Sequence, residues 1–184
     1  MNYALPVTVA FGGEEHRIRS DFRAILDICE ALSDSDLSND EKAVVTLNIF
    51  YPDVENIPEQ HYYDAVKACF NFINLGADER AGKPAPKLVS WEQDFQYIVS
   101  PVNHVIGREI RSLDYLHWWT FIAAYYEIGD CTFAQIVRIR DMRRRGKALD
   151  KADSEWYRRN RDLVDMKHDY SEQENEILKK WGGV

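Results

Sequence analysis

Cysteine is scarce in this sequence. Cys29, Cys69 and Cys131 stand far apart in 184 residues. So sparse and odd a set excludes a disulfide scaffold and suits a reduced intracellular protein. Positive charge is in deficit too: 23 Lys and Arg against 31 Asp and Glu give a formal charge of −8. A chain this acidic is a poor partner for nucleic acid or anionic membrane over its whole surface. Long apolar runs are missing. The longest, Trp118 to Ile128, is about half a membrane span, and Thr120 and Glu127 interrupt it. The opening, Met1 to Pro6, lacks the basic-then-apolar order of a signal peptide. A soluble cytoplasmic protein is expected.

Catalytic motifs are absent as well. Arg145-Gly146-Lys147 ends like a phosphate loop, but Asp141 stands where Gly is needed and Ala148 where Ser or Thr is needed. Asp34, Asp36 and Ser38 match the first ligands of a calcium loop, yet Asn39 replaces its glycine and Val45 its bidentate glutamate. Neither His16, His61, His104, His117 nor His168 pairs with another at i, i+4 or with a cysteine at zinc spacing. There is no Gly-x-Ser-x-Gly elbow and no Cys-x-x-Cys. An enzyme is therefore not expected, and neither catalytic residues, metal nor cofactor are assigned.

What is present is ordinary globular composition, 45% hydrophobic and 29% charged, with many aromatics: 5 Trp, 10 Tyr and 8 Phe. The pattern predicts a mainly α protein, a multi-helix bundle with a small N-terminal β hairpin. Val7, Val9 and Phe11 alternate with other residues before Gly12-Gly13, and His16 and Ile18 alternate after it. Asp21 caps a helix with Phe22, Ile25, Leu26, Cys29 and Leu32 on one face. Ser38 and Glu41 form a capping box for a helix through about Phe50. Pro58 opens a third helix, and Gly76 closes it. Residues 1–76 thus read as a hairpin plus three-helix subdomain. Residues 77–89, with Gly82, Pro84 and Pro86, read as a linker, and 90–184 as a helical subdomain.

In that second part, Ser90 and Gln93 make another capping box, and Pro101 predicts a kink or break in the helix behind it. Further helices are expected at 114–127, 132–145, 153–166 and 171–181, the second opened by a box of Thr132 and Gln135. Charge is uneven: net −9 in residues 1–80 but +6 in residues 138–161. The two helices around Ile128-Gly129-Asp130-Cys131 have helix-turn-helix-like spacing. A nucleic-acid-binding regulator using segment 114–161 is therefore the alternative function. Against it, the start of the second helix offers only Gln135 as a useful polar reader, and the arginines cluster late.

The strongest local signal is Leu116-His117-Trp118-Trp119-Thr120-Phe121-Ile122-Ala123-Ala124-Tyr125-Tyr126. Apolar residues surround this helix, so it should be covered on nearly every side. Successive side chains point about 100° apart, so Trp118 and Trp119 are not expected to share one narrow contact. Burial of a Trp at about 25 cal/mol per Å2 favours a central core helix. The other reading puts one aromatic face against a second subunit or a client helix. The candidate partner-binding residues are Trp118, Trp119, Tyr115 and Tyr125, with Arg138, Arg143, Arg144 and Arg145 on the basic segment.

Three elements together resemble one family. They are Asp94-x-x-Tyr97-Ile98, then Leu113-Asp114-Tyr115-Leu116-His117-Trp118-Trp119-x-Phe121, then Thr132-Phe133-x-x-Ile136-Val137-x-Ile139-Arg140. They look like the phage gp-fifteen family of siphophages and prophages of Gram-positive bacteria, and the hairpin, Asp21-Phe22-Arg23 and the Ser38 helix fit the same pattern. Where that family often has a Tyr-Gly-x-Asp loop, this chain has Ile106-Gly107-Arg108-Glu109. The resemblance implies a viral protein of the host cytoplasm, acting without catalysis in tail assembly. Its implied act is that of a tail assembly chaperone, holding apolar helices of the tape measure protein soluble until tail tube protein polymerises around them. Implied partners are the tape measure protein, other tail proteins and further copies of the chain in an oligomer; membrane is not among them, and nucleic acid belongs only to the alternative.

Overall fold

The structure is a computed structural model and describes residues 4–76 and 88–166. Apart from residues 88 and 89, the expected linker lies outside the described residues, as does the expected helix at 171–181. The described chain divides into two compact units. One comprises residues 4–76 with His117–Trp119, and the other residues 88–116 and 120–166.

The first unit opens with β1 (Thr8–Phe11) and β2 (Glu14–Arg17), paired antiparallel from Thr8 opposite Arg17 to Phe11 opposite Glu14. Gly12 and Gly13 join them at φ of +61° and +85°, the left-handed pair that a tight two-residue hairpin turn requires. Helices α1 (Phe22–Ser33), α2 (Asn39–Phe50) and α3 (Tyr62–Ile73) follow. Asp21 caps α1 by accepting from the Arg23 N–H. Ser38 and Glu41 close both halves of the expected capping box on α2. Phe22, Ile25, Ile28, Leu47, Phe50, Ala65, Cys69 and Phe72 are all buried to 3% exposure or less and form the core. Tyr51 lies among the buried residues too, and its hydroxyl donates to the Ala65 carbonyl at 2.8 Å. Arg19 binds the end of α2: its N–H meets the Phe50 carbonyl, and its guanidinium meets the carbonyls of Asn48 and Ile49. A cation there satisfies orphan acceptors and complements the helix dipole.

The second unit holds α4 (Trp91–Ile106), most of α5 (Trp118–Tyr126), α6 (Thr132–Arg144), α7 (Lys151–Arg159) and α8 (Arg161–Val164). Helix α6 packs on α4 and α8, and α8 packs on α7. Ile98, Val102, Ile110, Phe121, Ile136, Ile139 and Val164 are buried to 1% exposure or less. The mainly α class with one small hairpin is as expected.

Several local expectations need correction. Helix α4 is not broken: Pro101 sits inside it, and the missing N–H forfeits only one bond of the ladder. Ser90 caps α4, but the reciprocal acceptor is Asp94 at 2.9 Å, while the Gln93 amide donates to the Asp165 carbonyl. The Thr132/Gln135 box does not form. Cys131 is the cap, its sulfur accepting from the Ala134 N–H at 3.5 Å, and Thr132 is the first helical residue. Helix α5 begins at Trp118, not at 114: residues 113–117 are non-helical, and His117 forms an isolated antiparallel bridge with Asp21. The helix expected at 153–166 starts earlier, at an Asp150 cap, and stops at Asn160, whose side chain bonds back to the Trp156 carbonyl. Gly107 ends α4 with φ +79°, and Asn103 then holds both Glu109 and the Ile110 N–H.

Candidate functional site

The paired tryptophans have polar partners within the first unit. Helix α3 ends at Ile73; of its last carbonyls, that of Phe72 already accepts from the Leu75 N–H at 3.1 Å. The Trp118 indole N–H donates to the Ile73 carbonyl at 3.0 Å, and the Trp119 indole N–H to the Phe72 carbonyl at 2.9 Å. The expectation that the two cannot share one contact is thus corrected. Their long rings converge on successive carbonyls at one helix end. His117 fixes their approach. Its Nδ1 accepts from the Trp119 N–H at 3.0 Å, as a capping side chain would, and Nε2–H donates to the Pro6 carbonyl at 2.9 Å. The Trp118 N–H donates to the Ser20 carbonyl at 2.7 Å. Trp118 is only 2% exposed.

Helix α5 is also not covered all round, contrary to the sequence expectation. Phe121, Ile122 and Ala124 are buried, but Thr120, Ala123 and Tyr126 are exposed at i, i+3, i+6. Nine residues give a shorter apolar surface than the fourteen expected, and small Thr120 and Ala123 make one side tolerant of water.

The arginines of the basic segment mostly serve this chain. Arg140 is buried and uses all five of its donors. They reach both Asp94 carboxylate oxygens and the carbonyls of Leu88, Leu163 and Val164, at 2.6–3.0 Å. Arg138 pairs with Asp153, and Arg143 with Asp165 while stacking on Tyr157 at 4.2 Å. Hydrogen bonding from Arg138 holds the Asp153 carboxyl below the usual carboxylate range. Arg145 pairs with Asp141 across one helical turn at 2.8 Å. Arg144 is exposed and has no ion-pair partner among the described residues.

One open groove of about 450 Å3 brings three of the candidate residues together. Its first wall is a face of α6. Phe133, Val137, Asp141 and Arg145 form an i, i+4 row there, with Ala134 and Arg138 in the row beside it. Tyr125, Tyr126, Ile128 and Leu88 form the other wall. Tyr125 is partly buried, and desolvation, helped by Tyr126 and Asp94, raises its hydroxyl pKa. Tyr126 is 69% exposed. Two parallel i, i+4 rows leave a channel of the shape into which the side-chain ridge of another helix packs.

Of the candidates, Tyr125, Arg138 and Arg145 line this groove, and Trp118, Trp119, Tyr115, Arg143 and Arg144 do not. Sequence reasoning missed Phe133, Val137 and Tyr126 as members of one surface. The signal was available: 133, 137, 141 and 145 are four apart, with apolar residues in the first half and charges in the second. Among the described residues no group of three His, Cys, Asp or Glu is placed to hold a metal ion. No helix among them is long and apolar enough to cross a membrane.

Neither a curated protein nor a solved structure matches the chain. Asp94 and Arg140, which stand in the resemblance motifs, prove to be one buried ion pair. His117, Trp118 and Trp119, from the second motif, bind backbone carbonyls. Those motifs therefore describe how the chain is held together. In keeping with this, the whole described structure falls inside a match to the phage family described as Bacteriophage Gp15 protein, over residues 1–166, and the chain belongs to that family.

Proposed function

We propose that this phage protein serves tail morphogenesis as an assembly chaperone, by binding and not by catalysis, in the cytoplasm of the bacterial host. Its client is the tape measure protein, whose apolar helices it keeps soluble until tube protein encloses them. The observation that supports this most is the open groove along α6, lined by apolar Val137, Ala134, Ile128 and the two tyrosines Tyr125 and Tyr126. A net charge of −8 would keep client complexes dispersed. Several copies along one long client would add avidity to weak individual contacts. Pairing of Arg138, Arg140, Arg143 and Arg145 with carboxylates favours protein docking over duplex binding.

Co-expression with the tape measure protein of the same phage tests this. The tape measure protein should move from the insoluble to the soluble fraction and co-elute with the chain. A tape measure protein that stays insoluble and elutes alone overturns the proposal.

A further inference from the structure

The groove is not uniform along its length. From Phe133 to Arg145 the α6 row spans twelve residues, roughly 18 Å at 1.5 Å per residue. That matches about three turns of a partner helix. The first half of the row is apolar: Phe133, only 4% exposed, already packs on the Tyr125 ring, and the partly exposed Ala134 and Val137 line the groove with Tyr126. The second half is charged and ends at Arg145; Arg144 and Lys147, exposed near that end, do not line the groove themselves but add to its positive charge. Arg144 and Lys147 have no ion-pair partner among the described residues. The Arg145 side chain is 61% exposed, and its bond to Asp141 is a surface pair of small worth that an incoming carboxylate can replace. The other end is opposite in sign: Glu127 and Asp130, both exposed, flank the turn that leads into α6. The polarity is therefore acidic turn, apolar channel, basic end.

Resting on the docking proposed above, we infer that the groove selects one kind of helix: about three turns long, with an apolar i, i+4 row that ends in carboxylates opposite Arg144, Arg145 and Lys147. Burial of the apolar row supplies the contact, and the charges fix direction and register. A helix whose apolar row ends in lysines meets like charge at the same place and binds more weakly.

Three synthetic helical peptides separate these ideas. They share one apolar row and differ only in a terminal trio of Glu, Gln or Lys. Each is titrated against the full chain by fluorescence anisotropy at low salt. The Glu peptide should bind about fivefold tighter than the Gln peptide, and the Lys peptide correspondingly weaker. An R144E/R145E variant should invert the order of the Glu and Lys peptides, with its fold checked separately by far-UV circular dichroism and a thermal melt. High salt should compress all three affinities toward that of the Gln peptide. Equal affinity of the three peptides at low salt overturns the charge selection and leaves helix docking standing. No binding by any of the three overturns both.

Discussion

Two aromatic regions of this molecule look alike in sequence and differ in use. His117-Trp118-Trp119 and the Tyr125-to-Val137 stretch are both rich in large apolar side chains. At the first, each polar edge has a partner inside the chain: two indole N–H groups on Phe72 and Ile73, and the imidazole on Pro6 and Trp119. At the second, Tyr126 is 69% exposed beside Ile128, Phe133 and Val137, and the channel is open. Side chains with every polar edge satisfied internally are anchors. Apolar rows left open beside solvent are available to a partner. The same contrast divides α6, where Arg140 is wholly enclosed on one side and Val137 lines the groove on another.

Changes in the anchors should cost stability and spare docking, whereas changes in the groove should do the reverse. The largest stability loss is expected from Arg140→Met, because Asp94 is 0% exposed and would be left buried without its partner. Loss of one member of a buried pair costs about 3–5 kcal/mol, measurable by urea denaturation. The double variant R140M/D94L should recover only part of that loss: no charge is left unpaired, but the Leu88, Leu163 and Val164 carbonyls and the Ser90 N–H lose their side-chain partners. Trp118→Phe keeps a ring in the core but leaves the Ile73 carbonyl without its indole donor. A cost of about 1–3 kcal/mol is expected in the same assay. Val137→Asp sits on a partly exposed helical face and should cost under about 1 kcal/mol, while tape measure co-purification falls sharply.

How much of this was legible in the sequence follows from what each signal measures. Local chemistry read well. Asp21, Ser38 and Gly12-Gly13 act through neighbours two or three residues away, and all three do what their residue types predict. Long-range polar pairing did not read. Nothing local to Trp118 says that its N–H will meet a carbonyl 45 residues earlier. Nor does the arginine run say that Arg140 will face Asp94 across 46 residues. The Gln93 and Gln135 boxes failed for a different, local reason. Asp94 and Cys131 stood nearby as competing partners, and pattern spacing does not weigh such competitors. Periodicity overstated α5, since apolar count was taken as cover on every side where Thr120 and Ala123 are small enough to face water.

The smallest expected effect concerns acid. Arg138 lowers the folded-state pKa of Asp153, so this pair contributes stability above the unfolded Asp value of about 3.9. That contribution is lost as pH falls through the lower folded value. Arg138→Gln raises the folded value toward the unfolded one. Its stability should then fall less steeply than that of the unaltered chain across acid titration, read by thermal melts at stepped pH.

The most direct measurement compares two variants in one experiment. V137D and W118F are each co-expressed with the tape measure protein, and the co-purified client is quantified per mole of folded chain. W118F, altered at an anchor, should retain client at the unaltered ratio, and V137D, altered in the groove, should lose most of it. Full retention by V137D together with loss by W118F would contradict this, and would move the docking surface from the α6 groove to the tryptophans.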